Sequence, residues 1–425
     1  MRLRLRPRFG GFLVVAGSLA IAATTLVPIP EQSSAAEETP LWCLVCGDYG
    51  GVDVLNNVLL FVPLGAGLLL RGMAPRSVVA LGSLISLAIE LLQLLVIPGR
   101  DASLSDVLTN TLGIWLGAIL ASHRNELLKP ALSRAFRLAV GGGLAWIAVQ
   151  SLSAVLLRPG VPESTLYGAW GRAIPGRDLF GGRVTSAFVS GVAIPPGGIA
   201  VGQELASRLR RGQVRVELEL VTGSNRGAWA PVLELRGRTR TVLGLEAVGR
   251  DLVFEPPARS PLLRLRRPAI RLRGALPARP GAPVQITAGR RADTLWATWS
   301  AAGQIDRSIQ VLSPSLGWSL VTPIRYAFGR GARLLTGFWL VLWLVPIGYW
   351  SAGASEGRLR GTWLPGLILV GGLGLVTGLL GYPASHWSEW LAGLLGLRLG
   401  WAAWRRAAYF GQRCDSLSTS ESYSH

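Results

Sequence analysis

Hydrophobic and polar positions follow two different patterns along this chain. Long apolar runs, each of about the length that crosses a bilayer, occupy the first 157 residues and return after residue 333. Between them lie short stretches in which apolar and polar residues alternate, with Gly and Pro between the stretches. The pattern predicts a multi-pass α-helical membrane bundle with an all-β sandwich domain inserted into it.

Eight membrane spans are predicted, five before the insertion and three after it. They are expected near residues 10–28, 52–70, 77–97, 103–121 and 137–157, and again near 334–352, 363–381 and 386–403. Basic residues in the short connections, among them Arg71, Arg76 and Arg124, satisfy the positive-inside rule when both termini are cytoplasmic. Residues 165–325 are then an extracytoplasmic β-domain, and residues 404–425 are expected to be a disordered cytoplasmic tail.

The first apolar run allows a second interpretation. It follows a basic flank, residues 1–8, and Ser34-Ala35-Ala36 resembles the cleavage site of a signal peptide. The run is long for the core of a signal peptide, which favours a retained helix.

Three of the apolar segments also carry polar side chains at helical spacing. Ionisable groups at membrane depth are costly and usually face a bundle interior or a wet cavity. The topology brings these groups to one level near the external surface, so we predict one outward-facing binding pocket. A polar network that only joins the helices is the alternative. The predicted pocket residues are Asp53, Asn56, Asn57, Glu90, Gln93, Arg100, Ser103, Asp106 and Asn110.

A set of polar, Phe, Pro and Gly residues follows a specific order and spacing within residues 10–120. They are Asp53, Asn57, Phe61, Pro63, Gly65, Glu90, Gln93, Arg100, Ser103, Asp106, Asn110, Gly113 and Gly117. In these residues the chain resembles the VanZ-like family. The resemblance implies a bacterial envelope membrane protein; the founding members are associated with resistance to the glycopeptide teicoplanin, and no reaction is established for the family.

The chain also resembles itself at an offset of 283 residues. Val62-Pro63-Leu64-Gly65 aligns with Val345-Pro346-Ile347-Gly348, and Asp106 aligns with Glu389. The offset predicts two parallel four-helix halves, in which residues 334–403 complete a second half that has lost most of the polar set.

The β-domain resembles concanavalin A-like and laminin-G-like jelly-roll domains through its runs QVRVELELV and ADTLWATW. That resemblance implies carbohydrate binding. Trp229, Trp296 and Trp299 could stack on sugars, but alternation along a strand turns Trp296 away from Trp299, so at least one is expected in the core. No acidic pair for glycoside hydrolysis and no calcium cluster is evident.

The net charge and the cysteines of the chain indicate which partners and which disulfide to expect. The formal net charge is +19, from 43 Lys and Arg against 24 Asp and Glu, and Lys129 is the only lysine. Such a balance can reflect an arginine-biased genome or attraction to anionic lipid or envelope polymer. Nucleic acid is not expected as a partner, and neither a metal nor a cofactor is predicted.

Cys43 and Cys46 are expected to form a local disulfide in an exported loop, with two inert thiols as the alternative.

Three functions fit these features. The favoured one is a non-enzymatic envelope protein whose bundle binds a lipid-linked or anionic envelope component, while the β-domain docks a glycan or polymer. The second is an intramembrane enzyme acting on a lipid-linked substrate, with Glu90 or Asp106 as general base and Arg100 as a phosphate clamp. The third is transport, which the outward position of the polar residues disfavours.

Overall fold

The protein is described by a computed structural model that divides into two compact units. Unit 1 comprises Met1–Asn125, Arg158–Val311 and Ser319–Gly329, and unit 2 comprises Glu126–Leu157, Leu312–Trp318 and Arg330–His425. Within these units the structure describes residues 7–27, 42–45, 47–97, 102–161, 165–170, 179–223, 229–238, 240–355 and 363–421.

The chain forms twelve helices and twelve strands in the described residues. The helices are α1 (Pro7–Thr25), α2 (Gly50–Leu70), α3 (Pro75–Leu95), α4 (Leu104–Ser122), α5 (Arg124–Leu128), α6 (Leu132–Leu157), α7 (Gln203–Arg210), α8 (Trp318–Val321), α9 (Ala332–Ala354), α10 (Leu364–Val370), α11 (Val376–Leu379) and α12 (Trp387–Glu421). The strands are β1 (Leu166–Trp170), β2 (Arg183–Val189), β3 (Val192–Ala193), β4 (Ile199–Val201), β5 (Gln213–Val221), β6 (Trp229–Arg236), β7 (Thr241–Val248), β8 (Asp251–Glu255), β9 (Ile270–Leu272), β10 (Pro283–Arg291), β11 (Thr294–Ala301) and β12 (Gln304–Val311).

Local sequence signals start the helices of unit 1 that matter for the site. Pro75 occupies the first turn of α3, where its missing N–H costs nothing. Ser103 caps α4: its hydroxyl accepts a hydrogen bond from the Ser105 amide at 3.1 Å. The bounds of α2, α3 and α4 lie within two residues of the predicted spans.

Glycines allow α2 and α4 to pack closely. A Cβ on Gly65 would collide with the backbone of Ile114, and one on Gly117 would collide with the carbonyl of Val62. Small residues at a helix interface permit such backbone approach inside a membrane. A buried cluster that includes Phe61, Leu64, Val78, Ile89 and Ile114 joins these two helices to α3.

Two six-stranded antiparallel sheets form the β-domain, which also belongs to unit 1. Their strand orders are β4-β1-β6-β7-β8-β9 and β12-β11-β10-β5-β2-β3. In β5 the buried positions are Val214, Val216, Leu218 and Leu220, so the alternation of QVRVELELV is an alternation of core and outer face. The predicted inserted β-sandwich is present.

Unit 2 contains α6 and α9–α12. Trp146, Leu340, Leu344 and Leu373 lie in its buried cluster. Its close glycine contacts repeat those of unit 1 at an offset of 283: a Cβ on Gly348 would collide with the backbone of Leu397, and one on Gly400 with the carbonyl of Val345.

Six of the eight predicted spans correspond to described helices of membrane-spanning length and hydropathy. Among the described residues, six helices (α1–α4, α6 and α9) are long and apolar enough to cross a membrane. The predicted span 363–381 is a shorter apolar helix, Leu364–Leu379, in which Gly371–Leu375 (GGLGL) forms a π-helical turn between α10 and α11. Helix α12 continues past residue 403 to Glu421, so most of the tail that was predicted to be disordered is helical; no proline interrupts it.

Candidate functional site

Asn57 and Asp106 connect α2 to α4 through their side chains. The Asn57 amide Nδ2 donates a hydrogen bond to Asp106 Oδ1 at 2.8 Å. Both side chains are partly buried. A carboxylate in such a position is stabilised by a donor, since a buried charge without a partner is costly.

Two further carboxylates interact electrostatically with Asp106. Asp53 lies one helical turn before Asn57 on α2 and has an exposed side chain. Glu90 of α3 is only 6% exposed, and its Oε2 accepts a hydrogen bond from the Ser103 amide at 2.9 Å. Three helices therefore bring Asp53, Glu90 and Asp106 together at one end of the bundle.

The remaining predicted residues form contacts that hold the helices. Asn56 Nδ2 donates to the carbonyls of Val52, at 2.9 Å, and Val321, at 3.3 Å. Gln93 Nε2 donates to the carbonyl of Thr25 at 2.9 Å. These bonds are directed toward neighbouring backbone and not toward the carboxylates, so both residues act as structural links.

Asn110 lies one turn beyond Asp106 on α4 and is 2% exposed. Its Nδ2 donates to Ser86 Oγ at 2.9 Å. Its Oδ1 is buried and has no hydrogen-bond partner among the described residues. A buried acceptor without a donor is costly, and such an atom often marks a place where a ligand or water binds.

Two of the sequence predictions involve residues that lie outside the described part of the chain. Arg100, the expected phosphate clamp, lies outside the described residues. Cys43 is disulfide-bonded, but Cys46 also lies outside the described residues, so the pairing of these two cysteines stays a prediction.

An arginine of the β-domain, not identified from the sequence, reaches the site. Arg266 interacts electrostatically with Asp53, and its guanidinium lies 4.5 Å from the centre of the Tyr49 ring. Its Nε and Nη2 donate to the carbonyls of Thr322 and Pro323 at 2.7 and 2.6 Å. These bonds fix the side chain beside the first turn of α2.

A second arginine, Arg325, also contacts Tyr49 at the start of α2. Arg325 Nη1 lies 2.8 Å from Glu246 Oε2, and its guanidinium is 4.2 Å from the centre of the Trp229 ring. Its Nη2 lies 3.4 Å from the hydroxyl of Tyr49. Burial opposes the charge on Arg325, but Tyr49, Glu255 and Glu246 outweigh burial and raise the pKa of the guanidinium. Trp229, expected as a sugar platform, therefore packs under an arginine.

The backbone also joins the β-domain to α2. The Gly51 amide donates to the carbonyl of Arg264 at 3.2 Å, and Arg264 Nη1 donates to the carbonyl of Val45. A Cβ on Gly51 would collide with the carbonyl of Leu263. The carboxylates thus lie at the end of the bundle that contacts the β-domain. The dense arginine run at residues 264–267 was the only sequence signal of this contact.

The site contains both negatively and positively charged side chains. Three carboxylates come from membrane helices and one guanidinium comes from the β-domain. Within the described ranges, no three His, Cys, Asp or Glu side chains are grouped so that they could hold a metal ion. The arrangement can bind a polar group that carries positive and negative charge side by side.

Apolar spanning helices, an inserted antiparallel β-sandwich and polar groups at their junction define a multi-pass membrane protein. Residues 14–128, about a quarter of the chain, match the family model described as VanZ/LLP1. The chain therefore contains a VanZ-like domain that includes most of α1 and all of α2–α5, as in cell-envelope proteins of the VanZ type. No curated protein and no solved structure matches the chain.

Proposed function

We propose that the VanZ-like domain binds a membrane lipid headgroup in a polar pocket formed by Asp53, Glu90, Asp106 and Arg266. The observation that carries this proposal is the meeting of carboxylates from α2, α3 and α4 around Asp106, which is held by Asn57. Grouping three acids between apolar helices is costly unless a cation or a set of donors occupies the site. A headgroup supplies both.

The charges favour a headgroup that contains an amine as well as a phosphate. The exposed carboxylate of Asp53 and the partly buried carboxylate of Asp106 suit an ammonium group. Arg266 suits a phosphate, because a guanidinium binds phosphate oxygens through parallel hydrogen bonds. In this proposal Arg266 takes the role that the sequence suggested for Arg100.

The burial and the hydrogen bond of Glu90 favour binding over catalysis. A general base must reach the proton that it removes, whereas Glu90 is 6% exposed and accepts a hydrogen bond from the Ser103 amide. Asp106 is likewise engaged by Asn57. The alternative, an intramembrane enzyme with Glu90 or Asp106 as general base, would have to use the other carboxylate oxygen, Glu90 Oε1 or Asp106 Oδ2.

We also propose a cellular location for the protein and a docking role for its β-domain. The protein lies in the bacterial cytoplasmic membrane with both termini inside, and the β-domain lies outside, where it docks a glycan or an anionic envelope polymer. Its support is the arginine excess: residues 160–333 contain 25 Arg against 11 Asp and Glu. We retain the concanavalin A-like class and a role in teicoplanin resistance as parts of this proposal.

We further propose that the two halves are a four-plus-four parallel repeat. Its support is that the glycine contacts of α2 with α4 recur between α9 and α12 at an offset of 283 positions. Glu389, the counterpart of Asp106, keeps a carboxyl group, but it accepts hydrogen bonds from Ser313 and Ser315 at 2.8 and 2.9 Å. The second half would then be a scaffold in which the acid is satisfied by the protein itself.

Headgroup-dependent stabilisation tests the binding proposal. Purified full-length protein in detergent is melted with added phosphatidylethanolamine, phosphatidylcholine or phosphatidylglycerol. Phosphatidylethanolamine is expected to raise the melting temperature most, and Asp106→Asn should abolish that advantage. Asp306→Asn, at an exposed position of β12, is the matched control. Equal shifts with all three lipids in the wild-type protein would refute the proposal.

A further inference from the structure

Five exposed apolar side chains lie near the junction of the β-domain and the membrane helices. They come from two separate segments, one before α2 and one in the 3-10 turn Ser260–Leu263. They are Trp42, Leu44, Val45, Leu262 and Leu263, exposed by 77, 58, 40, 60 and 50%. We call this set the apolar rim.

Specific contacts hold both segments of the apolar rim at the start of the membrane helices. Ser105 Oγ in the first turn of α4 donates to the carbonyl of Leu44 at 2.5 Å. The carbonyl of Leu263 stands directly against Gly51 in the first turn of α2. The side chain of Arg264 joins the two segments through its hydrogen bond to the carbonyl of Val45. The rim therefore has a fixed position relative to α2 and α4.

The apolar surface continues along α4. Leu104, at the first position of the helix, is 49% exposed, and Leu108, one turn further, is 52% exposed. Such a row is typical of a lipid-facing helix surface. The apolar rim thus begins where the lipid-facing surface ends, so that a bilayer that covers α4 also reaches the rim.

Arginines surround the exposed leucine pair. Arg259 immediately precedes the 3-10 turn and is exposed, and Arg264 follows it. Arg240 contacts the same turn, since its Nη1 donates to the carbonyl of Pro261. Leucine and tryptophan next to arginine are the composition of segments that lie in the membrane interface, with apolar groups among acyl chains and guanidinium groups at phosphates.

We propose that the apolar rim is a membrane-interface anchor through which the β-domain is seated on the bilayer. Leu262, Leu263 and Trp42 insert at the boundary between headgroups and acyl chains, and Arg259 and Arg240 bind the phosphates of anionic lipids. The anchor holds the β-domain and the exposed carboxylate of Asp53 at headgroup level. This inference does not depend on headgroup binding in the pocket, since the anchor would work with an empty pocket.

Site-directed spin labelling tests the anchor in the full-length chain. Leu262→Cys is introduced with Cys414→Ser, labelled with a nitroxide and reconstituted into nanodiscs of phosphatidylcholine and phosphatidylglycerol. The label should be accessible to oxygen, which concentrates in acyl chains, and protected several-fold from a water-soluble nickel relaxation agent. Glu204→Cys is the control, because the charged side chain of Glu204 is 79% exposed on α7 of the same domain, and its label should show the reverse.

Three outcomes would overturn the anchor. One is a label at position 262 that is as accessible to nickel as the label at position 204. Another is disulfide-linked dimers of the Leu262→Cys chain, which would make the occupant of this surface a second copy. The third is an equal depth in discs without phosphatidylglycerol, which would contradict the role of the arginines. If Leu262→Cys does not fold, Leu263→Cys gives the same readings.

Discussion

Asn57 Nδ2 lies 2.8 Å from Asp106 Oδ1, and this hydrogen bond joins α2 to α4 beside the β-domain. Asp53 and Glu90 both interact electrostatically with the carboxylate that Asn57 holds. The bond therefore lies at the centre of the acidic group, and replacing its amide donor by a carboxylate would place a fourth acid there.

Replacing the donor tests that relationship. Asn57→Asp should lower the free energy of unfolding by about 1–3 kcal/mol, because Asp106 loses its donor and gains a like charge. The double variant Asn57→Asp with Asp106→Asn restores one donor and one carboxylate, and it should recover most of the loss. Thermal or denaturant unfolding in detergent measures the cycle. Additive losses in the double variant would show that the two side chains do not interact.

Arg325 should be a large contributor to the stability of unit 1. Its partner Glu246 has a side chain that is 1% exposed, and that of Arg325 is 21% exposed. Removing one member of a buried pair typically costs about 3–5 kcal/mol, so Arg325→Gln should destabilise strongly and with little salt dependence. Arg208→Gln is the control, because Arg208 and Glu204 form a pair with side chains 48% and 79% exposed; its loss should be about 0–1 kcal/mol. Similar losses for both variants would contradict this prediction.

The repeated glycine contacts predict matched effects in the two halves. Gly65→Ala and Gly348→Ala each place a methyl group against a backbone, that of Ile114 and that of Leu397 respectively. Each should destabilise by about 1–3 kcal/mol through overpacking. Gly141→Ala in α6 is the control, since nothing lies within 4 Å of its added methyl group, and it should stabilise by about 0.5–1 kcal/mol. Unfolding of the three single variants measures this; a neutral result at Gly65 or Gly348 would count against close packing there.

Two tryptophans of β11 should differ sharply. Trp299 is 7% exposed, whereas Trp296 is partly exposed on the opposite face and packs over Gly289 of β10. Trp299→Ala should cost about 3–5 kcal/mol, and Trp296→Ala should cost less. If the β-domain binds a glycan, Trp296→Ala should weaken retention of the full-length chain on that glycan while the fold persists. Circular dichroism and melting separate the two effects; equal destabilisation would contradict the assignment of faces.

The parts of this fold that follow local rules could be predicted from the sequence. The apolar runs predicted the bounds of α2, α3 and α4 to within two residues. Alternation identified the core face of β5 and the opposite orientations of Trp296 and Trp299. Helix direction and spacing predicted that Asp53, Glu90 and Asp106 lie at one level of the bundle, and the structure brings Asp53 and Glu90 within electrostatic reach of Asp106.

The parts that depend on long-range contacts could not be predicted in this way. Arg266 lies more than 200 positions from Asp53, and only the path of the chain between β8 and β9 brings it there. Hydropathy did not predict the π-helical turn at Gly371–Leu375. Its glycines affect the backbone geometry of the segment more than its hydropathy. The roles of Asn56 and Gln93 as links depend on backbone carbonyls, which carry no sequence signal.

The central claim is that the group around Asp106 recognises an amine while Arg266 recognises a phosphate. Native mass spectrometry of the full-length chain with defined lipids measures this directly, by comparing the wild-type protein with Asp53→Asn and Arg266→Gln. We predict that Asp53→Asn removes the preference for phosphatidylethanolamine over phosphatidylcholine, and that Arg266→Gln weakens the binding of both lipids. Unchanged preference and affinity in both variants would contradict the account.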